Sequence, residues 1–201
     1  MALLYAALVG YLFGSLPFAY WFGLVQGRNL LGEGTGNAGA LNAWRTLGAV
    51  PGLLVLILDL IKGVMAVALG EFLARDLNGG LLAGALAVIG HCYSAWLLGR
   101  GGKGLAPAVG VLFAVKLPLL LAGLVLVALA YLLTRSSYRA VLLAALVLPL
   151  SSLFIGGSLG YLWFGFGVGL PILLKHLPDW NRGITNVEGP RSNAEQKDKT
   201  L

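Results

Sequence analysis

The sequence is short of charge and of cysteine, and each shortage excludes something. Of its 201 residues only 11% are Asp, Glu, Lys or Arg while 58% are hydrophobic, and the mean hydropathy is +0.86. A water-soluble domain of this length has too small an interior to bury so many apolar side chains, so the missing solvent is lipid. The single cysteine, Cys92, lies in an apolar run, which excludes a disulfide framework within the chain and a metal site built on several thiolates. No metal and no cofactor is expected. A net charge of +6 suits either nucleic acid or a membrane surface. The charges fall mostly in the gaps between apolar runs, which assigns them to the membrane and leaves no nucleic-acid partner.

Apolar runs continue to His176, so a cleaved leader does not account for them. Residues 3–25, 50–74 and 79–98 are each long enough to cross about 30 Å of hydrocarbon, which takes roughly 20 helical residues. Residues 105–133 are too long for one ordinary crossing and are interrupted by Lys116 and Pro118; residues 140–176 are interrupted by Gly156 and Gly157. The expectation is an all-α, polytopic integral membrane helix bundle of about seven transmembrane helices, with an unbroken five-helix reading as the rival. With the N-terminus outside and the C-terminus cytoplasmic, eleven basic residues lie inside, Arg75 and Lys116 lie outside, and Lys62 lies within a span. That asymmetry sets the orientation. Residues 1–188 form one transmembrane domain, and the polar, aperiodic residues 189–201 form a cytoplasmic tail.

The inner gap after the first span has glycine at 32, 34, 36 and 39, with Thr35, Asn37 and Asn42 as neutral donors and Arg45 as a forked cation. Glycine lets consecutive backbone N–H groups converge, and with these side chains the segment suits a phosphate or carboxylate. Gly34, Gly36 and Gly39 also satisfy a dinucleotide-binding pattern, but that pattern needs a preceding strand in a soluble parallel sheet. A plain tight turn would explain the glycines but not the donors. A second inner gap, Arg100 to Gly104, sets Lys103 among Gly101, Gly102 and Gly104 and again suits an anion. It is not a nucleotide-binding loop, because Gly104 stands where that motif needs a hydroxyl.

Asp59 and Lys62 share one face of the second span, either as a functional pair or as a structural ion pair between helices. His91, about two turns before Arg100, is either a base or a hydrogen-bonded structural residue. At the end of the last span, Lys175, His176, Asp179, Asn181, Arg182 and Glu188 form a polar cluster on the same inner side.

Taken together, the motifs resemble the PlsY family of membrane acyl-phosphate:glycerol-3-phosphate acyltransferases. The resemblance runs through Gly14-Ser15-Leu16-Pro17, then Gly34-Thr35-Gly36-Asn37, Gly39-Ala40-Leu41-Asn42 and Arg45, then Asp59, Lys62 and Gly63, then Gly90-His91, Gly101-Gly102-Lys103-Gly104, and finally His176, Arg182 and Glu188. Thr35 and Leu41 stand where the family pattern resembles serine and threonine; Thr35 keeps the hydroxyl and Leu41 does not. The resemblance implies an acyl phosphate donor, glycerol 3-phosphate as acceptor, and lysophosphatidic acid and phosphate as products, in phospholipid biosynthesis. It also implies a bacterial inner-membrane enzyme whose site faces the cytoplasm and which cooperates with a soluble acyl-phosphate-forming enzyme. The expected catalytic residues are Arg45, Lys103 and His176. Thr35, Gly36, Asn37, Asn42, Gly101, Gly102, Asn181, Arg182 and Glu188 are expected to bind substrate, and His91, Asp59 and Lys62 remain candidates. An acyl phosphate is already activated, so direct attack by the acceptor hydroxyl needs no acyl-enzyme. The rival reading is an anion or organophosphate transporter, whose discontinuous helices would look similar; it calls for an internal repeat that the motifs do not show.

Overall fold

The computed structural model describes residues 1–180, so the expected tail and the site candidates Asn181, Arg182 and Glu188 lie outside the described residues. The first apolar run forms α1 (Ala2–Gly14) and α2 (Phe18–Val25), separated at Ser15-Leu16-Pro17. Proline has no N–H to continue the ladder, so carbonyls at the break need other donors. Ser94 Oγ donates to Ser15 O (2.6 Å) and Lys62 Nζ donates to Leu16 O (2.9 Å). A short α3 (Ala40–Leu47) precedes α4 (Ala49–Ala74) and α5 (Leu77–Cys92).

The two long runs divide where the sequence interrupts them. Lys116 is extended (φ −168°) between α6 (Leu105–Val115) and α7 (Leu117–Thr134), and Pro118 opens α7. Gly157, with φ +76°, closes α8 (Ser137–Gly156) before α9 (Leu159–His176). Among the described residues, five stretches are long and apolar enough to cross a membrane: Ala2–Val25, Ala49–Ala74, Leu77–Leu97, Leu117–Thr134 and Ser137–Gly156. Helix α6, with 11 residues, is only about 16 Å long at 1.5 Å per residue.

Helix α5 is the centre of the bundle, packed against α1, α4 and α9, while α4 also holds α6 and α8 holds α7 and α9. Two-thirds (67%) of the apolar window of α5 is buried against 11% for α7, so α5 is a core helix and α7 a peripheral one with much of its surface toward lipid. Leu121, Leu124, Val125 and Leu132 are exposed on it. Lipid gives helices no hydrophobic reason to associate, so they depend on close backbone approach at small residues. At the α4–α6 contact a Cβ on Gly63 would overlap Pro107 O and a Cβ on Gly110 would overlap Leu60 O.

This arrangement brings the loop 26–39, the end of α5, the start of α6, the start of α8 and the end of α9 to one end of the bundle. Arg100 reaches Leu31 O, and Arg139 Nε reaches Trp180 O. Lys116 is at the opposite end, where Nζ donates to Ile155 O (3.1 Å).

Candidate active site

The first glycine loop is built around one amide. Asn42, 2% exposed, accepts from Thr35 N through Oδ1 (2.7 Å), and its Nδ2 lies 3.0 Å from each of Leu30 O, Glu33 O and Asn37 O. An amide has two N–H donors, so three carbonyls saturate it. Asn42 therefore organises the loop instead of extending a donor from it. Gly34 has φ +61°, and a Cβ there would overlap Asn42 Oδ1. Glu33 closes the outer edge, paired with Arg28 and accepting from Asn29 N (3.1 Å). Thr46 Oγ1 donates to Asn42 O (2.7 Å) one turn back within α3, and Asn42 itself ties the loop to that helix.

The second glycine loop leads from α5 back to α6. Lys103, with 23% of its side chain exposed, contacts the Asp179 carboxylate and lies 4.9 Å from the centre of the Tyr138 ring. His176, 2% exposed, donates through Nδ1 to Ile172 O (2.9 Å). A carbonyl accepts and does not donate, so the proton is on Nδ1 and Nε2 is the basic nitrogen of the neutral ring.

These elements enclose a cavity of about 430 Å³. Among the expected site residues Thr35, Asn37, Asn42, Arg45, Lys103 and His176 line it, and so do Asp59 and His91. Gly36, Gly101 and Gly102 do not reach its wall, and Lys62 is buried behind it. Arg45 projects from the exposed side of α3 and has no ion pair among the described residues. Charge of both signs is therefore present: Asp59 pairs with Lys62 (2.8 Å) and Lys103 contacts Asp179, and Arg45, which has no ion pair among the described residues, adds positive charge that makes the wall attractive to an anion.

Ser137 and Tyr138, at the start of α8, also line the cavity and were not among the residues expected from sequence. The available signal was their position between Arg135 and Arg139, at the polar end of an apolar run. A second, apolar cavity of about 230 Å³ lies between α6, α7, α8 and α9, with walls that include Leu112, Leu120, Gly123, Leu148 and Val168. Leu105 and Val141 belong to the walls of both cavities, so the polar and the apolar cavity adjoin there.

Residues 4–186 match the family model described as glycerol-3-phosphate acyltransferase. A glycerol-3-phosphate acyltransferase of Synechococcus sp. is 41% identical over 190 residues, covering 94% of this chain and 93% of that relative. One from Carboxydothermus hydrogenoformans is 34% identical over 193 residues, covering 94% and 98%. Among solved structures, the chain resembles PlsY, an integral membrane glycerol 3-phosphate acyltransferase. Against the glycerol 3-phosphate form the TM-score is 0.77 at 30% identity, covering 90% of this chain and 92% of that one. Against the lysophosphatidic acid form it is 0.75 at 30% identity, covering 90% and 91%.

Proposed function

This chain belongs to the PlsY family of integral membrane glycerol-3-phosphate acyltransferases, and from that premise we propose that it takes its acyl group from an acyl phosphate and passes it directly to glycerol 3-phosphate. The observation that carries the donor assignment is the junction of the polar cavity with the apolar one at Leu105 and Val141. A fatty acyl phosphate has a matching form, an anionic head on an apolar tail, and its scissile carbonyl sits where the two join. The solved relatives' glycerol 3-phosphate and lysophosphatidic acid forms support the same acceptor and product here.

In the proposed step the acceptor hydroxyl oxygen bonds to the acyl carbon, the bond from that carbon to the phosphate oxygen breaks, and inorganic phosphate departs with the electron pair. Lys103 and Arg45 neutralise phosphate charge. Thr35, Asn37 and the backbone around Gly36 hold one phosphoryl group, within a loop shaped by Asn42. The hydroxyl proton passes to a phosphate oxygen of a substrate or to His176 Nε2. Gly101 and Gly102 serve through the placement of Lys103, while the assignment of Asn181, Arg182 and Glu188 to the acceptor rests on the family resemblance. No protein nucleophile is needed because the mixed anhydride is already activated.

The chain lies in the bacterial inner membrane as a bundle of about seven helices, the short α6 among them, with the cavity facing the cytoplasm, where a soluble enzyme supplies the donor; the one-sided basic residues support this orientation. The match to transferases disfavours the transporter reading. The deciding experiment is purified protein in lipid vesicles with palmitoyl phosphate and glycerol 3-phosphate. Lysophosphatidic acid and phosphate should appear in equal amounts. Glycerol 3-phosphate crossing the vesicle wall without product would overturn the proposal, and a trapped acyl-enzyme would overturn direct transfer.

A further inference from the structure

Three ionisable side chains lie deep in the bundle: Asp59 (2% exposed), Lys62 (1%) and His91 (6%). Charges so little exposed persist only when paired. Lys62 Nζ has two oxygen partners, Asp59 Oδ1 at 2.8 Å and Leu16 O at 2.9 Å, and lies 5.4 Å from the centre of the Phe18 ring. It is thus committed to the break between α1 and α2. The same Asp59 Oδ1 is 3.6 Å from His91 Nδ1, so one edge of the imidazole is turned to the carboxylate.

The other edge meets the second glycine loop. A Cβ on Gly102 would overlap His91 Nε2 and lie 3.0 Å from Ala38 O, and a Cβ on Gly39 would come 3.8 Å from Gly102 Cα. Gly102 N donates to His91 O (3.0 Å). Gly102 is therefore held between the imidazole and the first glycine loop, one residue before Lys103. Its φ is not positive, in contrast to Gly99 (+82°) and Gly104 (+83°). Space, not backbone conformation, requires glycine at 102.

We infer that His91 is a positioning residue: its imidazole, braced by the buried Asp59–Lys62 pair, is the floor on which Gly102 rests, and it thereby sets where Lys103 stands and where the two glycine loops meet. The inference rests on the reading of Lys103 as a phosphate-binding cation. It gives the buried charges a part in transfer that involves neither contact with substrate nor carriage of a proton.

The test compares two amides that differ in reach. In His91→Gln the side chain extends to Gly102 as the imidazole does; in His91→Asn it still offers Asp59 a polar partner but stops short of the loop. Neither amide titrates. Hydrogen exchange of the full chain in detergent should show the 99–104 segment opening at least about tenfold faster in H91N, with α4 and α5 unchanged, and within about threefold of wild type in H91Q. Transfer per folded protein should follow the same order in kcat/KM. Gly102→Ala should also loosen the segment, and H91N/G102A should recover part of that loss because the new methyl enters space the shorter side chain has vacated.

Equal exchange in H91N and wild type would overturn the inference, as would a double variant no better than G102A. H91Q as inactive as H91N despite an ordered loop would make His91 a proton carrier and overturn it too. Failure of the proposed reaction is separately visible, as a wild-type protein that makes no lysophosphatidic acid while the exchange pattern still reports on the floor.

Discussion

Lys103 and Arg45 face one cavity from different supports. Lys103 is held by Asp179 and lies over Tyr138, whereas Arg45 stands on the exposed side of α3. Neither packs in the core, so Lys103→Ala and Arg45→Ala should leave the bundle folded while lowering kcat/KM for transfer by about 10²–10³, the usual loss for one donor to a developing anion. Product formation at equal amounts of folded protein measures it, and near-normal activity in either variant removes that residue from the mechanism. Cys92, fully buried, is 2.8 Å from where a Cβ on Gly104 would be. Cys92→Ala should keep transfer within about threefold, since it removes only a packing atom; complete loss would indicate an acyl-cysteine. Thr35, Asn37, Arg45 and Lys103 were legible in sequence because polar groups among glycines are conspicuous in so apolar a chain. The role of Asn42 was not. Its amide could point outward or inward, and the carbonyls of Leu30, Glu33 and Asn37 decide which.

Among the helices, the approach of α4 to α6 carries the site, because α4 bears Asp59 and α6 begins immediately after Lys103 and Gly104. Gly63→Val would force side-chain atoms against Pro107 O, at a cost of about 1–3 kcal/mol for overpacking. A lower melting temperature in detergent and reduced transfer are the expected result; an unchanged melting temperature would show that the contact relaxes freely. The apolar cavity gives a separate prediction. A Cβ on Gly123 would come 3.6 Å from Leu112 Cδ1, so alanine fits and a larger side chain enters the cavity. Gly123→Leu should therefore lower kcat/KM for long-chain acyl phosphates about tenfold more than for short ones, since each excluded methylene forfeits about 0.8 kcal/mol. Equal losses for both donors would place the acyl tail elsewhere.

For the whole molecule, the described basic side chains at the cavity end contrast with Lys116 at the other end. In a Cys92→Ala background, cysteine introduced at Asp76 should react with a membrane-impermeant maleimide in intact cells, and cysteine at Arg100 only after the cells are opened. The reverse pattern would invert the proposed orientation.

Composition and the length of the apolar runs were enough to determine a membrane helix bundle, because no soluble core of this size accommodates so many apolar residues and no other spanning structure satisfies its backbone within each run. They also placed the breaks at Lys116 and Gly157, since extended lysine–proline and left-handed glycine signals are local. The glycine loops stood out for the same reason, and residues of both line the polar cavity. Tertiary structure alone decided that Asp59, Lys62 and His91 form one buried group, that Gly102 rests on the imidazole, that Tyr138 joins the cavity, and that an apolar cavity adjoins the polar one. Apart from Asp59 and Lys62, three residues apart on α4, those relations join separate helices and loops, and they depend on how closely glycine lets those elements approach, which no local pattern along the chain records.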